Sequence, residues 1–136
     1  MEKYTLESDI HVLCVTATSF PEGVMAAYDK IHSIVPADGN RKIFGISRPE
    51  GGSAIIYKAA VEELSEGEAE KYHLEKFIIS KGEYAGVIIK DFMKDLPAIG
   101  KTFREILHTQ KVDPDGACIE WYFNPNDVQC MVRLEQ

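Results

Sequence analysis

Apolar positions recur along this chain with two periods, and the switches between them mark its elements. Ile10 to Ala17 (IHVLCVTA) is an apolar, β-branched run and predicts a strand. Ser19, followed three residues later by Glu22, reads as a helix start. Val24, Tyr28, Ile31 and Val35 then recur at helical spacing until Pro36 and Gly39 end the pattern. Lys42 to Ser47 (KIFGIS) and Ala54 to Val61 (AIIYKAAV) predict two strands, with Arg48 to Gly52 as a hairpin loop. The glutamate-rich stretch Glu62 to Glu70 reads as a solvated linker or a frayed helix.

The second half repeats the order. Leu74 to Ile79 and Tyr84 to Ile89 read as one long bent strand or a hairpin about Lys81–Glu83. Leu96, Ile99, Phe103, Ile106 and Leu107 trace a helical stripe, with Asp95 as candidate cap and Pro97 in the first turn. Asp113 to Gly116 (DPDG) is a turn. Ala117 to Phe123 (ACIEWYF) and Val128 to Leu134 (VQCMVRL) are strands joined by Asn124 to Asp127. Strand, helix, strand, strand thus occurs twice, over about residues 9–63 and 73–134. The fold class expected is α+β: two pseudo-symmetric repeats in one domain spanning 1–136, a joint antiparallel sheet and two main helices on one face. A groove between such helices suits an apolar ligand.

Composition narrows the function classes. The chain has 136 residues, a formal charge of -7, and ordinary hydrophobic (45%) and charged (27%) fractions. That excludes wholesale disorder, and the acidic balance argues against direct nucleic-acid binding. No apolar run is long enough for a membrane span, and Met1 to Asp9 has no signal-peptide core. The three cysteines, Cys14, Cys118 and Cys130, sit among apolar neighbours without close spacing. They read as buried hydrophobes of a cytoplasmic protein. The four histidines are scattered, so no metal site and no cofactor are expected. Phosphate-loop, nucleophile-elbow and zinc-protease motifs are absent from the sequence.

The chemistry concentrates in Cys118 to Phe123 (CIEWYF), where a carboxylate interrupts an apolar, aromatic strand. If Glu120 is buried, it suits a lipophilic cation through charge and ring faces, or acts as a general acid or base. Pairing Phe123 with Val128 would instead put Ile119, Trp121 and Phe123 on the apolar face. Glu120 and Tyr122 would then lie on the polar face with Gln129, Met131 and Arg133. Tyr28, Phe44, Tyr57, Tyr84 and Phe103 are further groove candidates, though residues of this kind are more often simple core.

Four segments carry a resemblance: Lys42 to Ile46 (KIFGI), Ile56 to Glu62 (IYKAAVE), Lys76 to Ala85 (KFIISKGEYA) and Ile119 to Tyr122 (IEWY). In this order and spacing they resemble the GyrI-like family, from about Tyr4 to Leu134. That small-molecule-binding domain also serves as the effector domain of AraC-type and MerR-type transcription regulators. The resemblance implies a groove between two helices that takes lipophilic, often cationic, aromatic compounds. It also implies that the glutamate of an E-x-Y motif supplies the negative charge. Glu120 and Tyr122 match that motif, which turns Glu120 toward the pocket, against the register argument. Some members hydrolyse cyclopropane-containing alkylators, and others associate with DNA gyrase, for which no segment here can be mapped. No helix-turn-helix is expected in this length of chain. The expected function is a stand-alone binder or sensor of small hydrophobic or cationic aromatic molecules, with Glu120, Tyr122, Phe44, Tyr28 and Tyr84 as ligand-binding residues. The alternatives are a hydrolase using Glu120 and a protein-interaction module without a ligand. A homodimer is a possible assembly.

Overall fold

The structure, a computed structural model, describes residues 1–36, 39–50 and 54–136. The elements run β1 (Glu2–Leu6), β2 (Ile10–Thr16), α1 (Val24–Ile34), β3 (Ile43–Glu50), β4 (Ala54–Glu62), α2 (Glu68–Tyr72), β5 (Glu75–Ile79), β6 (Gly82–Ile89), α3 (Pro97–Thr109), β7 (Cys118–Trp121) and β8 (Val128–Arg133). A 3-10 turn, Phe92–Lys94, precedes α3. The chain forms two compact units, Asp9–Ile79 and Met1–Ser8 with Ser80–Gln136. Both are α+β, and the strand pairs within them are antiparallel.

In the unit Asp9–Ile79 the strand order is β3-β4-β2-β5. Alternation sends Leu13, Val15, Ala59 and Val61 to one face, where α1 covers them with Ala27 and Ile31. The other row pairs Phe44 with Ala60 and Ala60 with Cys14, all buried. Helix α1 starts at Val24, later than Ser19 suggested, because Ser19 to Gly23 forms a turn closed by Gly23 N–H donating to Ser19 O at 3.2 Å. A Cβ on Gly23 would sit 2.8 Å from the Ser19 backbone, so this close approach requires glycine.

The stretch Glu62 to Glu70, expected as a solvated linker or a frayed helix, runs into the short helix α2, and its Glu68 is buried rather than solvated. Glu68 opens α2, and its carboxylate takes two hydrogen bonds from Arg41, at 2.9 and 3.1 Å. The backbone N–H groups of Leu64 and Ser65 add two more, at 2.6 and 3.2 Å. The four donors hold the Glu68 carboxyl at about 2, with the Arg41 bonds the largest cause. The expected loop from Arg48 to Gly52 is in part strand, since β3 runs to Glu50, and residues 51 and 52 lie outside the described residues.

In the second unit the order is β1-β6-β8-β7. Helix α3 covers one face, burying Phe103 and Ile106 against Ala85, Cys118, Val128, Cys130 and Val132. Complete burial of a side chain such as Ile106 contributes about 1.5–3 kcal/mol. Pro97 occupies the first turn of α3, as expected, but Leu96 rather than Asp95 is the cap position. The Asp113 turn closes through Gly116 N–H to Asp113 O at 2.9 Å. The segments 74–79 and 84–89 are neither a bent strand nor a hairpin: β5 pairs with β2, while β6 pairs with β1 and β8.

Candidate functional site

The face occupied by Glu120 is settled by register. Glu120 lies opposite Cys130, Cys118 opposite Val132, and Trp121 opposite Gln129. That is one residue away from a pairing of Phe123 with Val128, and a one-residue slip turns every side chain over. Glu120 therefore stands on the α3-covered face with Cys118, Cys130 and Val132, and is 6% exposed. Trp121 lies on the reverse face, its ring 6.2 Å from Tyr4 and 5.6 Å from Phe123.

Tyr122 follows the last residue of β7. Its hydroxyl donates to Glu120 Oε1 at 2.5 Å, a short bond of the kind a phenol makes to a carboxylate. The Phe92 ring meets Tyr122 edge to face, with centroids 5.2 Å apart. Two thiols complete the surroundings. Burial pushes Cys118 up to about 11, with the Glu120 charge adding to the rise. Cys130 is pushed up to about 12 by burial, then by Glu120 and Cys118. Both stay neutral at ordinary pH, so they are poor nucleophiles. Among the described residues no group of three or more His, Cys, Asp or Glu could hold a metal ion.

The turn between β7 and β8 holds Phe92 in place. Asp127 Oδ1 accepts the Asp91 N–H at 3.0 Å, and Asp127 Oδ2 accepts Asn124 Nδ2 at 3.0 Å. The Phe92 N–H donates to Asn126 O at 3.0 Å. Asn124 Oδ1 in turn accepts the N–H groups of Asn126 and Asp127, both at 2.8 Å. The bonds from Asn124 and from Asp91 lower the Asp127 carboxyl below the usual carboxylate range.

Of the other residues expected at the site, Tyr84 shares a unit with Glu120, and Tyr28 and Phe44 belong to the other unit. Tyr84 is buried on the reverse face of its sheet, in the row of Arg133, and its hydroxyl donates to Ser80 O at 2.5 Å. Tyr28 and Phe44 belong to the unit Asp9–Ile79. There the Tyr28 hydroxyl donates to Phe44 O at 2.9 Å and meets the Tyr57 hydroxyl at 2.8 Å. Since Tyr28 has a single proton to give, Tyr57 is the donor in that second bond. The Phe44 ring itself points to the sheet face away from α1. Phe20 stacks on Tyr57 at 5.7 Å. Phe103 is core beneath α3. Phe92 and Asp127 were missed by sequence reasoning. The one available signal was an aromatic residue isolated between a strand and a proline-started helix.

No helix of the described residues is long and apolar enough to cross a membrane. No protein-family model matches the chain, and no curated protein matches it. Among solved structures it is similar to an integron cassette protein from the mobile metagenome of Vibrio cholerae. That likeness has a TM-score of 0.65 at 14% identity, covering 98% of this chain and 95% of the other. It is also similar to a hydrolase from Listeria innocua, with a TM-score of 0.58 at 10% identity over 98% and 90%. At these identities the likenesses establish the fold.

Proposed function

We propose that this chain is a GyrI-like domain that binds a small hydrophobic or cationic aromatic molecule at Glu120 and Tyr122. The observation that carries the reading is a carboxylate 6% exposed on an apolar strand, held by a phenol and bordered by a second aromatic ring. A lipophilic cation offers charge to the carboxylate and a face for the rings of Tyr122 and Phe92. Titration with a planar lipophilic cation dye, followed through Trp121 fluorescence, tests this. Quenching at micromolar dye is expected for the wild type. In Glu120→Gln, which keeps an acceptor for the Tyr122 hydroxyl, affinity falls about 10- to 100-fold. Equal affinity in both proteins removes Glu120 from the site.

The two-repeat plan belongs to the same proposal. Its support is that β1 (EKYTL) and β5 (EKFII) share the order Glu, Lys, aromatic, and a buried aliphatic at the end. Their burial runs identically along the strand. Each closes one edge of its sheet, and the orders β3-β4-β2-β5 and β7-β8-β6-β1 correspond position by position. On this reading the first repeat begins at β1 instead of at residue 9 as expected, so the repeats cover about 2–62 and 75–133, and each places its first strand in the sheet built by the other.

A hydrolytic use of the same residues is the second reading, favoured by the Tyr122 hydroxyl donating to the Glu120 carboxylate, which puts a proton donor and an acceptor side by side. Turnover of an alkylating substrate that disappears in Glu120→Gln would support it. Binding without turnover would leave the protein a binder.

A further inference from the structure

Glu120 is only 6% exposed, so a neighbouring segment that can move aside would widen a ligand's access to its carboxylate. The segment between β6 and α3 is built to be that part. From Lys90 to Pro97 every residue is exposed except Phe92. Met93 is 67% exposed and Leu96 51%, so the strap holds to the protein by one ring and a few hydrogen bonds. Its backbone enters through Asp91 in the left-handed region (φ 50°) and passes through a single 3-10 turn. Segments with few buried contacts open at low free-energy cost.

We infer that residues 90–96 form a door over the Glu120 site, with Phe92 as its leaf and Asp127 as its latch. The inference rests on the binding reading above for its purpose, though not for its mechanics. The Phe92 ring covers Tyr122, the donor to Glu120, and packs on the cluster containing Cys118 and Cys130. The Asp127 carboxylate grips the strap at the Asp91 N–H and the turn at Asn124, so one side chain joins the door to its frame. The Phe92 N–H to Asn126 O bond is the second point of attachment. Swinging the strap out breaks those two backbone bonds and withdraws one ring, leaving β6 and α3 in place. A planar aromatic ligand then fills the space of the Phe92 ring, against Tyr122 and beside Glu120.

The test needs no ligand in its first arm. The full chain is treated with N-ethylmaleimide, and labelling rates at Cys118, Cys130 and Cys14 are read by mass spectrometry. Cys14, buried in the other unit, reports global unfolding. In Asp127→Ala and in Phe92→Ala, labelling at Cys118 and Cys130 is expected to rise at least fivefold with Cys14 unchanged and amide exchange across β6 unchanged. In the second arm, the planar cation dye, which binds only the open form, should associate at least about fivefold faster with Asp127→Ala, dissociate at the wild-type rate and so bind correspondingly tighter. Unchanged thiol rates, or a rise shared by Cys14 or by β6 exchange, would overturn the door. Wild-type protein that ignores the dye would overturn the Glu120 reading instead, and the thiol arm still decides the door.

Discussion

Two carboxylates illustrate how much a single residue's setting matters. Glu120 and Tyr122 were legible as site candidates because a glutamate inside CIEWYF is out of place in an apolar strand. Glu68 was not legible, because a run of glutamates looks solvated and its partner Arg41 lies 27 positions away. Only the fold brings the guanidinium to it. The consequence is measurable. The Glu68 carboxyl is lowered from 4.5 to about 2, so its contribution to stability is complete above about 4.5 and is lost as pH falls toward 2. We expect Glu68→Gln to cost about 1–3 kcal/mol at neutral pH, since it weakens a part-buried charged network. The gap between wild type and variant should narrow as the pH drops through that window. Thermal melts of both proteins between pH 7 and 2 check this, and a gap independent of pH would count against the ion pair.

At the scale of elements, length and period identified most strands and both long helices, while register and partnership stayed hidden. The β7–β8 connection is the clearest case, since one residue of loop length decides whether Glu120 faces α3 or the reverse side. Strand β1 was missed altogether. Five residues with two charges carry no periodic signal of their own, and β1 is a strand because the edge of β6 receives it. The strap at 90–96 was missed because one half-buried ring leaves no pattern. Removing residues 1–6 should therefore expose the β6 edge and the space left by Leu6. Amide exchange over 82–89 is expected to rise at least tenfold, with exchange over 54–62 unaltered. A uniform change across both segments would mean that β1 does not stabilise its own sheet selectively.

For the molecule as a whole, the formal charge of -7 draws cations toward the protein at long range, an effect that added salt screens. General attraction of that kind must be separated from a specific role for Glu120, which is the centre of this account. The measurement that does so compares a planar lipophilic cation with its neutral isostere, each titrated against wild type and Glu120→Gln at fixed ionic strength. The four affinities form a cycle that cancels the field common to both proteins. The account predicts that wild type prefers the cation by about tenfold or more, and that the preference collapses in Glu120→Gln while affinity for the neutral compound holds. The same preference in both proteins would place the cation's attraction in the overall field and contradict a ligand-binding Glu120.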